Sequence, residues 1–311
     1  MYLRHFSLRE APFSITPDAA YFFPHEGAQA ALNTLLVAIR SGEGFLKIVG
    51  EVGCGKTILC RQLLRTLHGE CVTAYIPNPD LGPKDLLLAL AKELGLQLPL
   101  SATRYRLMDA LQTCLLAHAA RGQAVVVLID EAQAIPLRTL ESLRLLSNLE
   151  TEKRKLLQLV LLGQPELDRK LARPEVRQLL QRITFSESLG PMAAQRVPQY
   201  LKHRLQLAAA DATTHTDLFA PDAAQAITHF SGAIPRLVNV LANKCLMLAY
   251  GENRHRVTAA HVRLAAKDSS GVDTSGSWWD RLVGARFRHE ASGPAARQRI
   301  PATQNHPKAR P

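Results

Sequence analysis

The stretch that most restricts what this chain can become is Gly50-Glu51-Val52-Gly53-Cys54-Gly55-Lys56-Thr57. It fits the pattern GxxxxGK[ST] of a phosphate-binding loop. An apolar run, FLKIV, precedes it, and the apolar-periodic KTILCRQLL follows. Strand, glycine loop and helix in that order turn several backbone N–H groups onto one anion. Glycine permits the positive φ angles and the close backbone approach this requires. The first turn of the helix adds its partial positive charge. Gly50 to Ile58 are therefore the expected nucleotide-binding residues. Lys56 is expected to reach the β- and γ-phosphates, and Thr57 to offer its hydroxyl to Mg²⁺.

A second constellation lies at the end of the all-apolar run AVVVLI, which leads into Asp130-Glu131-Ala132-Gln133. Such a run suits a strand of a parallel sheet covered on both faces. A carboxylate at its tip is expected to hold something. Asp130 is assigned to Mg²⁺, through its water shell, and Glu131 to polarising the attacking water. One further strand, CVTAYIP, lies between the two motifs. An acid beside the metal-binding Asp together with that extra strand points to hydrolysis rather than binding alone. The next strand, LLQLVLLG, ends at Gly163-Gln164, and Gln164 can orient the water or the γ-phosphate. RPEVRQLLQRITF carries Arg173, Arg177 and Arg182. The first two read as a solvated basic face. Arg182, just before a short strand at 183–186, is the preferred arginine to reach across a subunit boundary. Arg236, in the first turn of a helix opened by Pro235, can move onto the γ-phosphate from a second domain.

Strands alternate with helices up to about residue 190, giving an α/β core with a parallel sheet. Four helical segments follow. The expected domains are an aromatic and Pro-rich segment at 1–25 that packs on the core, an ATPase core at 26–190, a small α-helical lid at 191–268 and a flexible basic tail at 269–311. The tail reads as disordered by composition. Within it, WWDRLVGARFRH is a short island of Trp and Arg.

Composition narrows the setting. The 311 residues are 47% hydrophobic and 21% charged, those of an ordinary globular protein with a sizeable core. A net charge of +11 favours anionic partners. The five cysteines include no CxxC pair, which argues against a zinc site or disulfide framework and for reduced thiols. Cys54 lies inside the phosphate loop, so alkylation there is expected to interfere with nucleotide binding. No secretory leader opens the sequence, and no apolar run reaches the roughly 18–20 residues of a membrane span.

Taken together, the motifs resemble those of the AAA+ ATPases, and more closely the ExeA (general secretion pathway protein A) family, with its MSHA pilus biogenesis members nearest in pattern. The resemblance covers residues 1 to about 268. It rests on FSLREAPFSITPDAAYFF, GEGFLKIVGEVGCGKT, LIDEAQ, LSNLETEKRKLLQLVLLGQPEL, QRITF and GAIPRLVN. It implies a P-loop AAA+ core with a helical lid, a homo-oligomer, and ATP-driven support of a type IV (MSHA-like) pilus or type II secretion apparatus. By the same resemblance Lys56 and Thr57 belong to Walker A, Asp130 and Glu131 to Walker B, Gln164 to sensor 1, Arg182 to the finger and Arg236 to sensor 2. ATP and Mg²⁺ are the implied ligands. Longer relatives continue into a transmembrane helix and a peptidoglycan-binding domain. This chain is expected instead to be cytoplasmic and peripheral at the inner membrane through a membrane-bound partner. SESLGPM departs from the family pattern after QRITF. Two other readings compete: a DNA-transposition ATPase, for which the basic charge speaks, and a nucleotide-gated scaffold with little turnover.

Overall fold

The computed structural model describes residues 2–146, 148–150, 155–211 and 217–269. The basic tail and its Trp/Arg island lie outside the described residues. Five parallel strands form one sheet: β1 Phe45–Val49, β2 Val72–Ile76, β3 Val125–Ile129, β4 Gln158–Gly163 and β5 Ile183–Ser188. Their spatial order is β2-β3-β4-β1-β5. The interior strands β1, β3 and β4 are buried at every position. That is why they read as unbroken apolar runs rather than alternating ones.

Successive side chains point to opposite faces, and the two faces carry separate cores. On one, Leu46, Ile48, Val126, Leu128, Val160 and Leu162 meet helices α2 (Glu26–Arg40) and α3 (Lys56–Leu67). On the other, Phe45, Val49, Val125, Val127, Ile129, Leu159 and Leu161 meet five helices. These are α4 (Pro83–Glu93), α5 (Arg104–Ala120), α6 (Leu137–Leu146), α7 (Glu166–Leu171) and α8 (Arg177–Leu180). Leu32, Leu35 and Ile39 form the buried stripe of α2, with Leu36 beside them, as their helical spacing predicts.

A third core belongs to the helices α9 (Val197–Ala208), α10 (Pro221–Ser231), α11 (Pro235–Gly251) and α12 (Ala259–Lys267). It is here that the N-terminal segment departs from expectation. Rather than packing on the sheet, Phe6, Leu8, Phe13 and Tyr21 are buried with the helical bundle. Their short helix α1 (Tyr2–His5) lies against α11. Only Phe22 joins the sheet-side core, and a short turn at Ala19–Tyr21 rests on α3. The segment is thus a strap touching both parts. The physical reason is supply: four short helices have apolar faces that the sheet does not cover, and the strap's aromatics fill them.

The departure SESLGPM also acquires a role in the fold. β5 runs two residues beyond the expected 183–186, to Ser188. Leu189 N–H then donates to the Val49 carbonyl at 2.7 Å, which fastens this connection to the root of the glycine loop.

Candidate functional site

The loop after β1 and the first turn of α3 have the geometry the glycines predicted. Gly53 (φ +86°) and Gly55 (φ +98°) are in the left-handed region, and Gly55 caps α3. A Cβ on Gly50 would lie 2.3 Å from the Leu189 carbonyl oxygen, and one on Gly53 would lie 2.8 Å from Cβ of Arg236. Neither position tolerates a side chain. Lys56 is 6% exposed. Its Nζ donates to the carbonyls of Gly50 at 2.7 Å and Glu51 at 3.0 Å. It has a buried ammonium's donors but only neutral acceptors, which favours an anion in the cleft.

Thr57 and Asp130 are brought together: the Thr57 hydroxyl is near enough to the Asp130 carboxylate to favour its charged form. Asp130 is 2% exposed, at the C-terminal tip of β3. Burial pushes its carboxyl above the usual range, against the opposing pull of Thr57, the Glu131 N–H (2.9 Å to Oδ1) and Lys56. A buried carboxylate and a hydroxyl facing a phosphate loop are the hard oxygen donors that suit Mg²⁺. Tyr75, on the adjacent strand β2, lies beside Asp130, and burial first, then Cys60 and Asp130, pushes its hydroxyl up. Nothing in the sequence pointed to Tyr75 beyond its place one residue from the end of a strand.

Glu131 leaves the sheet in the left-handed region, φ 50° and ψ 37°. Gln164 Nε2 donates to its Oε2 at 3.3 Å, so the two residues from neighbouring strand ends meet. A third residue joins them. Gln133 Nε2 donates to the same Oε2 at 2.5 Å, and Gln133 Oε1 accepts the Gln164 backbone N–H at 3.0 Å. Lys170 of α7 donates to the carbonyls of Gln133 and, at 2.8 Å, Ile135. Burial, then the neighbouring Arg173, pushes its ammonium down.

Arg236 is held next to the loop by its own backbone, whose N–H donates to the Gly53 carbonyl at 3.2 Å. The cleft that contains Val52, Lys56, Thr57, Glu131, Gln164 and Arg236 is walled on its other side by Ser14, Thr16 and Arg204. A hollow beside it is lined by Tyr21, Phe22, Cys54, Ile58, Met192 and Tyr200. Arg204 is 4% exposed. Its guanidinium donates to the carbonyls of Pro12 and Ser14 and to Tyr200 Oη, and stacks 4.6 Å from the Tyr21 ring centroid. Ile58 therefore serves both compartments.

One expectation is corrected. The Cys54 side chain is 1% exposed and belongs to the sheet core, and burial pushes its thiol up. Only its backbone belongs to the loop, so the side chain is shielded from alkylation. Arg182, expected to serve a neighbouring subunit, does not line its own cleft. It precedes Ile183, which pairs with Phe45 at the start of β1, while the phosphate loop leaves after Val49 at the other end. Four residues at about 3.3 Å each put roughly 13 Å of strand between them.

Comparison with known proteins agrees with this architecture. A family model described as an AAA domain matches residues 39–171. General secretion pathway protein A of Aeromonas hydrophila is 42% identical over 283 residues, 91% of this chain. The chain spans about half, 51%, of that relative's length. Among solved structures, the ORC2 protein of Aeropyrum pernix, determined in ADPNP-ADP complexes, superposes with a TM-score of 0.62 at 18% identity, over 84% of this chain and 72% of that one. Cdc6p from Pyrobaculum aerophilum gives 0.63 at 16% identity, over 83% and 70%. The RuvB Holliday junction branch migration motor of Thermotoga maritima gives 0.52 at 18%, over 87% and 78%. At those identities the three speak for the fold alone. Phosphate loop, parallel sheet, helical bundle and the long match to one secretion protein agree, and the chain belongs to the P-loop AAA+ proteins of the general secretion pathway protein A (ExeA) family.

Proposed function

We propose that this protein binds ATP with Mg²⁺ and hydrolyses it to ADP and phosphate as a homo-oligomer, in support of a type IV (MSHA-like) pilus or type II secretion apparatus. The observation that carries the reading is the meeting of Lys56, Thr57 and the Glu131–Gln164 pair in one cleft at the C-terminal edge of the sheet, with the buried Asp130 carboxylate beside Thr57. That edge is where open α/β sheets bind ligands.

The loop N–H groups and the start of α3 face the phosphates, and Lys56 exchanges its two carbonyl partners for phosphate oxygens. The hollow beside the loop, apolar and aromatic, accommodates the base. Thr57 and Asp130 hold Mg²⁺, which when bound neutralises charge developing on the β- and γ-phosphates. Glu131 accepts a proton from water as the water oxygen bonds to the γ-phosphorus. The bond from that phosphorus to the β–γ bridging oxygen breaks, and ADP leaves with that oxygen. Gln164 holds Glu131 and the water in line, and Arg236 meets the γ-phosphate from the helical domain. Arg182, remote from its own cleft, acts in a neighbour's, where such an arginine is worth roughly 10³–10⁵-fold in rate. Among the described residues no helix is long and apolar enough to cross a membrane. A membrane-bound pilus or secretion protein is the partner this reading calls for, with the chain peripheral at the inner membrane.

Phosphate release measured against protein concentration tests the reading, beside Arg182→Ala. A rate per subunit that climbs steeply with concentration, is lost in Arg182→Ala and returns on mixing with Glu131→Gln subunits is the expected result. A near-zero rate at every concentration with ATP bound normally would replace hydrolysis by a nucleotide-gated scaffold. Stimulation by DNA in a salt-sensitive manner would replace the envelope partner by a nucleic acid.

A further inference from the structure

We infer that Gln133 is the positioning residue of the hydrolytic site, and that Lys170 fixes it from behind. The inference deepens the hydrolytic reading and rests on it. Glu131 stands at a strand tip and its carboxylate makes no capping bond to the turn that follows. Gln133 makes one bond to each of the two groups that must act together. Its Nε2 donates to Glu131 Oε2 at 2.5 Å, while its Oε1 accepts the backbone N–H of Gln164 at 3.0 Å. The Gln164 side chain then donates to the same Oε2 at 3.3 Å. Two amide donors occupy Oε2, which leaves Oε1 to receive a proton from water. The Gln133 amide supplies both functions from one side chain, an N–H donor for the carboxylate and a carbonyl acceptor for the backbone N–H.

Two neighbouring features fit the same assignment. A Cβ at Gly163 would lie 3.2 Å from Gln133 Oε1 and 2.9 Å from Leu167, so glycine at the end of β4 leaves room for the bridge. Lys170 Nζ is aimed not at a carboxylate but at the carbonyls of Gln133 and Ile135, the turn from which Gln133 projects. α7 thus holds the turn in place, and the turn holds the carboxylate.

Steady-state hydrolysis by Gln133→Met, Lys170→Met and Glu131→Gln, and by each of the first two combined with Glu131→Gln, tests this. Methionine keeps the length of the side chain while removing its hydrogen bonds. Gln133→Met is expected to lower kcat at least tenfold with KM for ATP unchanged, and Lys170→Met to lower it less. In the Glu131→Gln background neither is expected to cause any further loss, because both act through that carboxylate. Gln133→Asn, which keeps the amide but shortens its reach, is expected to recover only part of the rate. Amide exchange supplies a readout that needs no turnover: the Gln164 N–H is expected to lose protection in Gln133→Met. An unchanged kcat, an unchanged Gln164 protection, or a loss that persists in full without Glu131 would overturn the assignment. Wild-type protein whose rate ignores Glu131→Gln would instead overturn the hydrolytic reading, and Gln164 exchange would still decide whether Gln133 holds the bridge.

Discussion

The two sides of the nucleotide cleft are built by different means. The phosphate side is made of strand ends and one loop. Its polar groups come from Gly50–Thr57, Asp130–Gln133 and Gln164, and each follows directly on a buried strand. The base side is made of the N-terminal strap and the helical bundle, held by rings, apolar contacts and one buried arginine. The first side is fixed by the sheet, which cannot shift without breaking three buried strands. The second depends on a strap held to the bundle by its buried aromatics, by backbone bonds to α9 and by Arg204. On the proposed reading, chemistry belongs to the side built on the sheet, and nucleotide entry and release to the side built on the strap.

That contrast has graded consequences. The largest fall on the phosphate side. Lys56→Ala is expected to abolish ATP binding by calorimetry, and retained affinity would remove the loop from the site. Glu131→Gln is expected to keep binding and lose roughly 10²–10⁴-fold in phosphate release, the usual range for a general base. On the base side, Arg204→Met strands the carbonyls of Pro12 and Ser14. It should cost about 2–3 kcal/mol of stability and speed nucleotide release, with kcat little changed. Equal losses of kcat in Arg204→Met and Glu131→Gln would erase the distinction between the two sides.

Acid should separate the sides as well. Burial lowers the affinity of His25 and His203, both on the base side, for protons. The unfolded chain binds those protons more readily, so the stability they contribute is present above about pH 6.5 and is lost as pH falls below it. Asp130 has the opposite sign. Its carboxyl is raised by burial, so the folded state gains protons first and the ligand-free protein gains stability as pH falls through that raised value. Thermal unfolding of wild type against Asp130→Asn, and of wild type against His25→Phe with His203→Phe, should resolve the two slopes. The smallest effect concerns Cys54: its thiol should react with alkylating reagents many times more slowly in folded protein than in denatured protein. Fast labelling would mean that the loop opens.

The same division explains what could be read from the chain before its fold was known. The phosphate side is local in sequence. Eight residues carry the loop, and an acid that ends an apolar run announces a strand tip. All five strands were readable for that reason, including the two-sided burial of β3. The base side is assembled from residues 14–23, Ile58, Met192, Tyr200, Arg204 and Pro235, separated by most of the chain. The aromatics of 1–25 revealed that they would be buried, not against which partner. Arg204 carried one signal that went unused. It shares the helical spacing of Tyr200, Leu201, Leu205 and Ala208, all buried, so it lies on the inner face of α9. Gln133 stood in plain view within DEAQ, but spacing does not reveal that its amide bridges two strand ends.

Glu131 occupies a backbone conformation that glycine would adopt more easily, at a difference of about 1–2 kcal/mol for a left-handed residue. The protein therefore carries its proposed general base in a backbone conformation that costs stability, and the amide bonds from Gln133 and Gln164 offset part of that cost. Glu131→Gly relieves the backbone but leaves those two amides without their acceptor, so it is expected to melt close to wild type while releasing no phosphate. A residue that chemistry alone requires would then be invisible to any screen that reads heat resistance.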